Sequence, residues 1–358
     1  MREARKRIIV EKPGGYDAFS FDETPLGEPG PEEIQVDVRA CGINFADISI
    51  RLGLYTAAKD AYPICPGLEF SGYVRRTGSS VQGYELGDRV FGVTRFGGYT
   101  TTINCPVEQL WSLPETWDFT RGASFPVAYL TAFYSLHNVG HLKYHDSVLV
   151  HSAAGGVGTA LIHLLNYNNL PPGGSGGQDR VSGIMSVGVV GRPEKIIAAK
   201  KAGATFVIDK SNEDLWRRAE EFSPEGYDLI LDANGASTLR GSYQHIRPTG
   251  RLLIYGFASM FSHSGRKNWL KLVWGYMRTL KFNPFDLTAA NKTVSGFNLI
   301  YLFEKLELFR GIMNSLLKWD AGGFLPVMPI TTFPFEDVVK AHQALESGKT
   351  VGKLVLVV

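Results

Sequence analysis

The chain of 358 residues is longer than one ordinary hydrophobic core and predicts two domains. Hydrophobic residues at 44% and charged residues at 20% are typical of a soluble globular protein and exclude disordered and fibrous classes. The formal net charge of +2 gives no reason to expect a nucleic-acid partner.

Cysteine usage and the N-terminal residues indicate the compartment. Cys41, Cys65 and Cys105 are widely spaced, form no CxxC pair and predict reduced thiols in an intracellular protein. Residues 1–15 lack the apolar segment of a secretory signal, and no apolar run approaches the roughly 20 residues of a membrane-spanning helix. We therefore expect a cytoplasmic protein.

The pattern of apolar residues changes near Pro126. Residues 1–125 are β-like, with alternating runs such as EEIQVDVRACGI and GDRVFGVTRF between Gly and Pro turns. Five later segments have the near-continuous apolar character of strands covered on both faces: SVLVHSA, MSVGVVG, TFVIDK, YDLILDAN and GRLLIYGF. Their alternation with helical patterns such as RPEKIIAAKKAGA predicts βαβ units and a parallel sheet.

The remaining segments are one insertion and a closing unit. Residues 166–183 are rich in Pro, Gly and Asn and predict an inserted surface loop, either a lid or partner site or a tolerated insertion. After Phe297, the run EKLELFRGIMNSLLKW has apolar residues at helical spacing. TTFPFEDVVKAHQALESGKTVGKLVLVV then predicts a further helix and a final strand.

A glycine-rich turn lies between the first of these strands and its helix, in VLVHSAAGGVG. Gly155, Gly156 and Gly158, with Val157 among them, let a backbone approach a pyrophosphate, and the N–H groups of the new helix stabilise its charge. Because AAGGVG departs from the usual GxGxxG, tight packing of strand on helix is an alternative explanation for the glycines.

The second strand indicates which dinucleotide binds. An NAD site usually carries Asp or Glu there for the ribose 2′-hydroxyl, whereas this chain offers Arg192 and Lys195, with Lys210 after the next strand. Each cation alone is compatible with an ordinary solvated charge. Together they favour the 2′-phosphate of NADP, so we expect NADPH as the cofactor.

Several motifs resemble a known family. GINFADISIRLGLY, PGLEFSGYV, GDRVFG, VLVHSAAGGVG and GKTVGKLVLVV resemble the medium-chain dehydrogenase/reductase superfamily, quinone-oxidoreductase branch, from about residue 8 onward. FNPFDLTAANKTVSGFNLIYLF is similar to the vesicle amine transport protein homologues, the synaptic-vesicle membrane protein group. The resemblance implies an α/β protein: a GroES-like β-rich catalytic domain (1–125 and 298–358), a Rossmann domain with a doubly wound parallel sheet (126–297), and a cleft between them.

The same resemblance bears on zinc. Zinc-dependent relatives carry a cysteine ligand where this chain has Asn44, and a His-Glu pair where it has Leu68-Glu69. Neither an amide nor a leucine is a customary zinc ligand, and three scattered cysteines cannot form the structural zinc lobe of such relatives. We therefore expect no metal.

Without a Lewis acid, the expected chemistry is hydride transfer to a quinone or to a C=C conjugated with a carbonyl, with a side chain or water supplying the proton. Asn44, Asp47 and Tyr55 match an N-x-x-D-x(5)-G-x-Y pattern that the resemblance associates with enoyl reductases. It implies Tyr55 as the proton donor. Ser49 stands where many quinone reductases have tyrosine, and a packing role for Tyr55 is equally compatible with the pattern.

The expected nicotinamide end combines residues from both domains. Thr131 matches a threonine that approaches the nicotinamide in relatives, and YGFAS and GFN end the fifth and sixth strands of the expected sheet. We expect Asn44, Tyr55, Thr131, Phe257 and Asn298 to meet there. The substrate class this implies is small and apolar: a quinone, an enone or a lipid-like molecule.

Two association surfaces are also expected. KTVSGF resembles the Rossmann edge strand that pairs across a two-fold axis, so we expect a homodimer. In GRKNWLKLVWGYMRTLKFNPF, one helical stripe is apolar and another carries basic residues. We expect a cleft cover with a basic solvent face; the alternative is a helix that lies on an anionic membrane, in a lipid- or nucleotide-binding protein with little or no turnover.

Overall fold

The computed structural model describes residues 4–168, 183–260, 265 and 267–358. Most of the predicted inserted loop, residues 169–182, lies outside the described residues.

The β-strands of the described residues are numbered in chain order. They are β1 (Ala4–Val10), β2 (Phe19–Pro25), β3 (Glu33–Ile43), β4 (Glu69–Thr77), β5 (Arg89–Val93), β6 (Thr102–Pro106), β7 (Leu110–Ser112), β8 (Ser147–His151), β9 (Met185–Val190), β10 (Phe206–Asp209), β11 (Tyr227–Asp232), β12 (Ile246–Ile254), β13 (Thr293–Gly296), β14 (Ile330–Pro334) and β15 (Lys353–Val357).

The α-helices of the same residues are numbered likewise. They are α1 (Phe45–Arg51), α2 (Phe119–Ser124), α3 (Pro126–Phe133), α4 (Gly156–Asn168), α5 (Ile196–Lys201), α6 (Leu215–Phe222), α7 (Leu239–His245), α8 (Trp269–Arg278), α9 (Pro284–Ala290), α10 (Leu306–Ala321) and α11 (Val338–Glu346).

Two large sheets organise the described part of the chain. A parallel sheet has the strand order β10-β9-β8-β11-β12-β13, and a mostly antiparallel sheet has the order β14-β15-β3-β4-β5-β7, with β6 also paired to β3. The parallel order is that of a doubly wound sheet, whose direction of winding reverses between β8 and β11. This arrangement confirms the predicted fold class: a GroES-like sheet together with a Rossmann sheet.

Burial explains the strand assignments. All five residues of β8 and all six of β11 are buried, as expected for central strands covered by helices on both faces. The predicted strand segments between 147 and 257 became β8 to β12, and EKLELFRGIMNSLLKW contains most of α10. The exact domain boundaries stay a prediction.

The final strand β15 joins the N-terminal strands. It pairs with β3 in an antiparallel register that places Leu354 opposite Ile43, and β3 pairs in turn with β4. Beside it, Gly352 bridges to Gly155 in the glycine turn of the parallel sheet. The edge where β15, β3 and β4 meet therefore lies against the predicted dinucleotide turn.

Candidate active site

The glycines of the turn between β8 and α4 have different roles. A Cβ at Gly158 would lie 2.2 Å from the Ser152 carbonyl oxygen, so tight packing explains this glycine. At Gly155 and Gly156 the nearest atoms would be 3.3 Å away, and both residues are only partly buried. They leave the N-terminus of α4 accessible, as an anion site requires.

A buried donor beside this turn supports a ligand site. Ser152, with φ +56°, donates its hydroxyl to the Asn234 Oδ1, 2.9 Å away. Within the described residues, the buried Asn234 Nδ2 has no hydrogen-bond partner. Because a buried amide donor without a partner is costly, the turn fits a ligand with oxygen acceptors, as a dinucleotide has.

The three predicted cations follow β9 and β10. The Lys210 N–H donates to the Val190 carbonyl, and its Cε would lie 3.6 Å from a Cβ on Gly191, so Lys210 lies beside the residue preceding Arg192. Desolvation and the neighbouring Arg192 charge lower the pKa of Lys195, with Glu194 opposing them. This concentration of positive charge suits a phosphate.

Asp47, in the first turn of α1, binds the backbone of Asn44, the residue just before the helix. Its carboxylate is fully buried and accepts hydrogen bonds from the Asn44 N–H (2.8 Å), the Gly67 N–H (3.0 Å) and the Tyr99 hydroxyl (3.1 Å). Desolvation raises the pKa of Asp47 to about 6, and these hydrogen bonds act against the rise. Asp47 thus contacts the backbone of Asn44, and the catalytic role that the motif implies for Asp47 stays a prediction.

Two buried side chains and one partly buried side chain form a cluster where β15 and β4 begin and β3 ends. The Lys353 Nζ is 2.5 Å from the Asn44 Oδ1 and 2.6 Å from the Glu69 Oε1. The Asn44 Nδ2 donates to the same Glu69 oxygen at 3.0 Å. We call Asn44, Glu69 and Lys353 the Lys353 cluster.

Glu69 also contacts helix α3. Its second oxygen, Oε2, accepts a hydrogen bond of 2.8 Å from the Val127 N–H in the first turn of α3. That N–H has no partner inside its own helix, and a carboxylate is favoured at a helix N-terminus. The Glu69 carboxylate thus accepts hydrogen bonds from α3, from Asn44 and from Lys353.

The predicted proton donor is hydrogen-bonded to a residue beyond the parallel sheet. The Tyr55 hydroxyl donates to the Asn298 Oδ1 at 2.9 Å, two residues after β13 ends. Burial raises the pKa of Tyr55, while its hydrogen bond to Asn298 opposes the rise. The alternative donor, Ser49, has its hydroxyl bonded to the Phe45 carbonyl within α1.

The structure connects some of the other expected nicotinamide residues. The Thr131 hydroxyl donates to the Val127 carbonyl at 2.6 Å, so Asn44, Glu69, Val127 and Thr131 form one chain of contacts. Phe257 lies over Gly235, where an added Cβ would be 2.4 Å from its ring. Its side chain is exposed and lies at the carboxyl end of β12.

Sequence reasoning did not assign a function to Glu69, Lys353 or Asn234. One signal was present for Lys353, which stands at the start of the otherwise apolar strand KLVLV. Within the described residues, no group of three or more His, Cys, Asp or Glu side chains is placed to hold a metal ion.

Comparison with known proteins identifies the family. An alcohol dehydrogenase GroES-like domain matches residues 30–115, and a zinc-binding dehydrogenase domain matches residues 202–356. The human synaptic vesicle membrane protein VAT-1 homolog is 32% identical over 354 residues, which are 98% of this chain and 86% of that relative. This chain belongs to the medium-chain dehydrogenase/reductase superfamily.

Solved structures agree with this assignment. The crystal structure of the human VAT-1 homolog-like protein has a TM-score of 0.81 and 28% identity, covering 99% of this chain and 98% of that one. Escherichia coli quinone oxidoreductase in complex with NADPH has a TM-score of 0.83 and 28% identity, covering 99% and 100%. Both comparisons include the two sheets and the junction between them.

Helix α8 differs from the expected cleft cover. Of its apolar residues, Trp269 is 65% exposed and Leu270 is 85% exposed, and the exposed set continues with Val273, Trp274, Tyr276 and Met277. Leu280 and Phe282, just beyond the helix, pack against the core around the parallel sheet. The apolar stripe thus faces solvent, beside the basic residues Lys267, Lys271, Arg278 and Lys281.

Two further observations concern association. Within the described residues, no helix combines the length and the apolar character that crossing a bilayer requires. Strand β13 is at the edge of the parallel sheet, paired with β12 alone among the described strands. The homodimer expected through this edge stays a prediction.

Proposed function

We propose that this member of the superfamily is an NADPH-dependent oxidoreductase that transfers hydride, without zinc, to a quinone or an α,β-unsaturated carbonyl. The observation that carries the proposal is the hydrogen bond from Tyr55 to Asn298. It holds a phenol at the carboxyl end of the parallel sheet, where nucleotide ligands of such sheets lie. The NADPH complex of the similar E. coli quinone oxidoreductase supports the choice of cofactor.

The proposed cofactor site uses the chain's own groups. Gly155, Gly156 and Val157 expose the N-terminus of α4 to the diphosphate, and Arg192, Lys195 and Lys210 bind the 2′-phosphate. The buried Asn234 amide offers a donor to a ligand oxygen. When bound, the nicotinamide supplies the hydride.

Three residues would act at the reacting end. Tyr55 is a neutral phenol at physiological pH, and burial raises its pKa further. Its hydroxyl would turn from Asn298 to the substrate to donate its proton to a developing carbanion or enolate. The Thr131 hydroxyl gives its hydrogen to Val127, so its oxygen acts on a ligand as an acceptor. Asn44 is held with both ends of its amide in contact with charged groups.

Zinc independence belongs to the same proposal. Asn44 and Leu68 stand where zinc-dependent relatives have ligands, and Leu68 is buried among apolar residues. The Lys353 ammonium donates to the side-chain oxygens of Asn44 and Glu69, which are the two remaining oxygen atoms there that could bind a metal.

The test is oxidation of NADPH by the purified full chain, against a panel of quinones and α,β-unsaturated carbonyls, with and without a chelator. We expect turnover of at least one acceptor class and the same rate after chelation. Loss of activity that zinc restores would contradict the zinc-independent chemistry. Tight NADPH binding with no turnover of any acceptor would favour the second candidate below.

A second candidate function rests on α8. An amphipathic helix with exposed Trp, Leu and Met beside Arg and Lys is typical of a helix that lies in the interface of an anionic membrane. Arg278 also lies over the ring of Trp274, 5.1 Å from its centroid, so the charge and the aromatic ring share one surface. In this function the chain is a membrane-associated lipid- or nucleotide-binding protein with little or no turnover.

Vesicle co-sedimentation tests the second candidate. We expect binding to vesicles that contain phosphatidylserine and much weaker binding to vesicles of phosphatidylcholine alone. Leu270→Ser with Trp274→Ser removes two exposed apolar side chains and should abolish sedimentation without changing the melting temperature. Equal binding by this variant would exclude α8 as the contact surface.

A further inference from the structure

Lys353 is a buried lysine between the glycine turn and Asn44, beside the proposed nicotinamide site. The side chain of Lys353 is 5% exposed and that of Glu69 is 0% exposed. The Lys353 Cδ would lie 3.3 Å from a Cβ on Gly156, so its stem passes beside the glycine turn before its ammonium reaches Asn44. Nothing in the sequence motifs assigns a role to this residue.

Strand pairing fixes the positions of Lys353 and Glu69 relative to each other. Lys353 and Glu69 are the first residues of β15 and β4, on either side of β3, and Asn44 follows the last residue of β3. Removing two charges from water is expensive, and a buried ion pair contributes little net stability compared with apolar residues of similar size. Stability alone is therefore a weak reason for this pair.

The pair does have a specific effect on Asn44. The amide of an asparagine can adopt two orientations, related by a flip that exchanges the positions of Oδ1 and Nδ2. The Lys353 ammonium offers only donors, so it fixes the Oδ1, and the Glu69 carboxylate offers only acceptors, so it fixes the Nδ2. Together the two charges select one orientation of the Asn44 amide.

Glu69 also links Asn44 to helix α3. Its Oε2 binds the first turn of α3, the helix that carries Thr131 four residues further on. A change at Glu69 would therefore alter the position of Asn44 relative to Thr131.

We propose that the Lys353–Glu69 ion pair is a positioning device that orients the Asn44 amide and sets its place relative to α3 for a bound nicotinamide. The inference rests on the proposed function, because it assumes that Asn44 faces the nicotinamide. Lys353 acts through Asn44 and not on the substrate. The Lys353 ammonium thus holds in place Asn44, the residue that stands where zinc-dependent relatives have a cysteine ligand.

The test is a mutant cycle in the full chain. One arm replaces the pair by apolar residues, Lys353→Met with Glu69→Leu; the second arm is Asn44→Ala; the third combines them. Each variant is assayed for melting temperature, for NADPH affinity, for the fluorescence of bound NADPH and, where an acceptor is reduced, for the rate of hydride transfer in a single turnover.

We expect the apolar pair variant to fold and to bind NADPH, with an altered nicotinamide fluorescence and hydride transfer about 10- to 100-fold slower, as for residues that orient a ligand. Because the pair acts through Asn44, the combined variant should lose no more than Asn44→Ala alone. The matched control, Arg251→Met with Asp146→Leu, removes a buried ion pair far from the site and should alter the melting temperature only.

Two results would overturn the inference. One is a pair variant whose nicotinamide fluorescence and transfer rate equal those of the native chain; the other is a combined variant whose losses multiply. The fluorescence readout decides the inference even if no acceptor is reduced, a result that would count against the proposed function alone. If the pair variant fails to fold, Lys353→Arg keeps the charge; its planar group cannot reproduce the ammonium geometry, and fluorescence identical to the native chain would likewise overturn the proposal.

Discussion

The junction between the sheets and helix α8 differ in what they bury. At the junction, Glu69 and Lys353 are buried charges with close partners. On α8, large apolar side chains such as Leu270 and Trp274 are exposed. Both arrangements cost free energy relative to the usual distribution, in which charges are solvated and large apolar groups are covered. A binding or catalytic role can explain why a protein keeps such unfavourable arrangements. We therefore associate the buried charges at the junction with the proposed reaction and the exposed apolar side chains of α8 with the proposed membrane contact.

The largest expected effect is at the junction. Tyr55→Phe removes the proposed proton donor and should slow enone reduction about 10²- to 10⁴-fold with NADPH affinity unchanged. Quinone reduction, whose product can take its proton from water, should fall much less. Steady-state rates with both acceptor classes measure the difference.

The neighbouring Tyr301→Phe is the matched control, because Tyr301 lies close enough to Tyr55 to influence its pKa. It should leave both rates near those of the native chain. Equal, small losses for both acceptors in Tyr55→Phe would remove Tyr55 from the mechanism and leave water or Ser49 as the donor.

Buried histidines make the stability of the fold depend on pH. Burial lowers the pKa of His137, His151 and His163 to about 4 and that of His342 to about 3. The unfolded chain, with histidine pKa values near 6.5, binds more protons than the folded chain below that pH. The stability that these groups provide is therefore fully present above about pH 6.5 and is lost as pH falls towards about 4, and towards about 3 for His342.

Asp47 opposes this trend. Its pKa is raised from 3.8 to about 6, so its contribution to stability falls as pH rises between these values. Four histidines against one carboxyl predict a net loss of stability on acidification, measured by urea unfolding across this range. His163→Gln should flatten the dependence, whereas the exposed His141→Asn should not; a pH-independent unfolding midpoint would contradict the expectation.

The cofactor preference carries a smaller expected effect. Arg192→Ala should weaken NADPH binding by about 1–3 kcal/mol, or about 5- to 150-fold, if its guanidinium bonds to the 2′-phosphate. NADH affinity should not change, since NADH lacks that phosphate. Fluorescence titration of both cofactors checks this, with the exposed Lys200→Ala of α5 as the control. Tighter binding of NADH than NADPH by the native chain would refute the preference.

The smallest expected effects are at the C-terminal end of α8 and just beyond it. Arg278→Ala and Lys281→Ala should each weaken binding to phosphatidylserine vesicles by about 1 kcal/mol, and added salt should do the same. NADPH oxidation should not change in either variant, because both residues are exposed beyond the cofactor site. Unchanged vesicle binding would indicate that the charges of α8 do not face a membrane.

Local patterns predicted much of the molecule. Continuous apolar runs identified β8 to β12, because central parallel strands are covered on both faces, and the glycine turn followed from its place between strand and helix. The pairing of Tyr55 with Asn298 followed from the resemblance and from the rule that ligands lie beyond the carboxyl ends of parallel strands.

Other features depend on contacts that no local pattern contains. Lys353 and Asn44 are 309 positions apart in sequence, and only the pairing of β15 with β3 brings them together. The helix at α8 and its two stripes were predicted, but which stripe faces solvent depends on the rest of the fold. Asp47 matched a catalytic motif, but the motif alone could not show that its carboxylate is fully buried and bonded to the Asn44 N–H.

The most direct test of the proposed function follows the hydride itself. NADPH carrying deuterium at the transferable position of its nicotinamide is incubated with the full chain and an enone, and the product is analysed by mass spectrometry. The account predicts one deuterium on the β-carbon of the reduced product, slower transfer than with unlabelled NADPH, and a strongly reduced yield with Tyr55→Phe. Products without deuterium, or bound NADPH that reduces no acceptor of the panel, would contradict it.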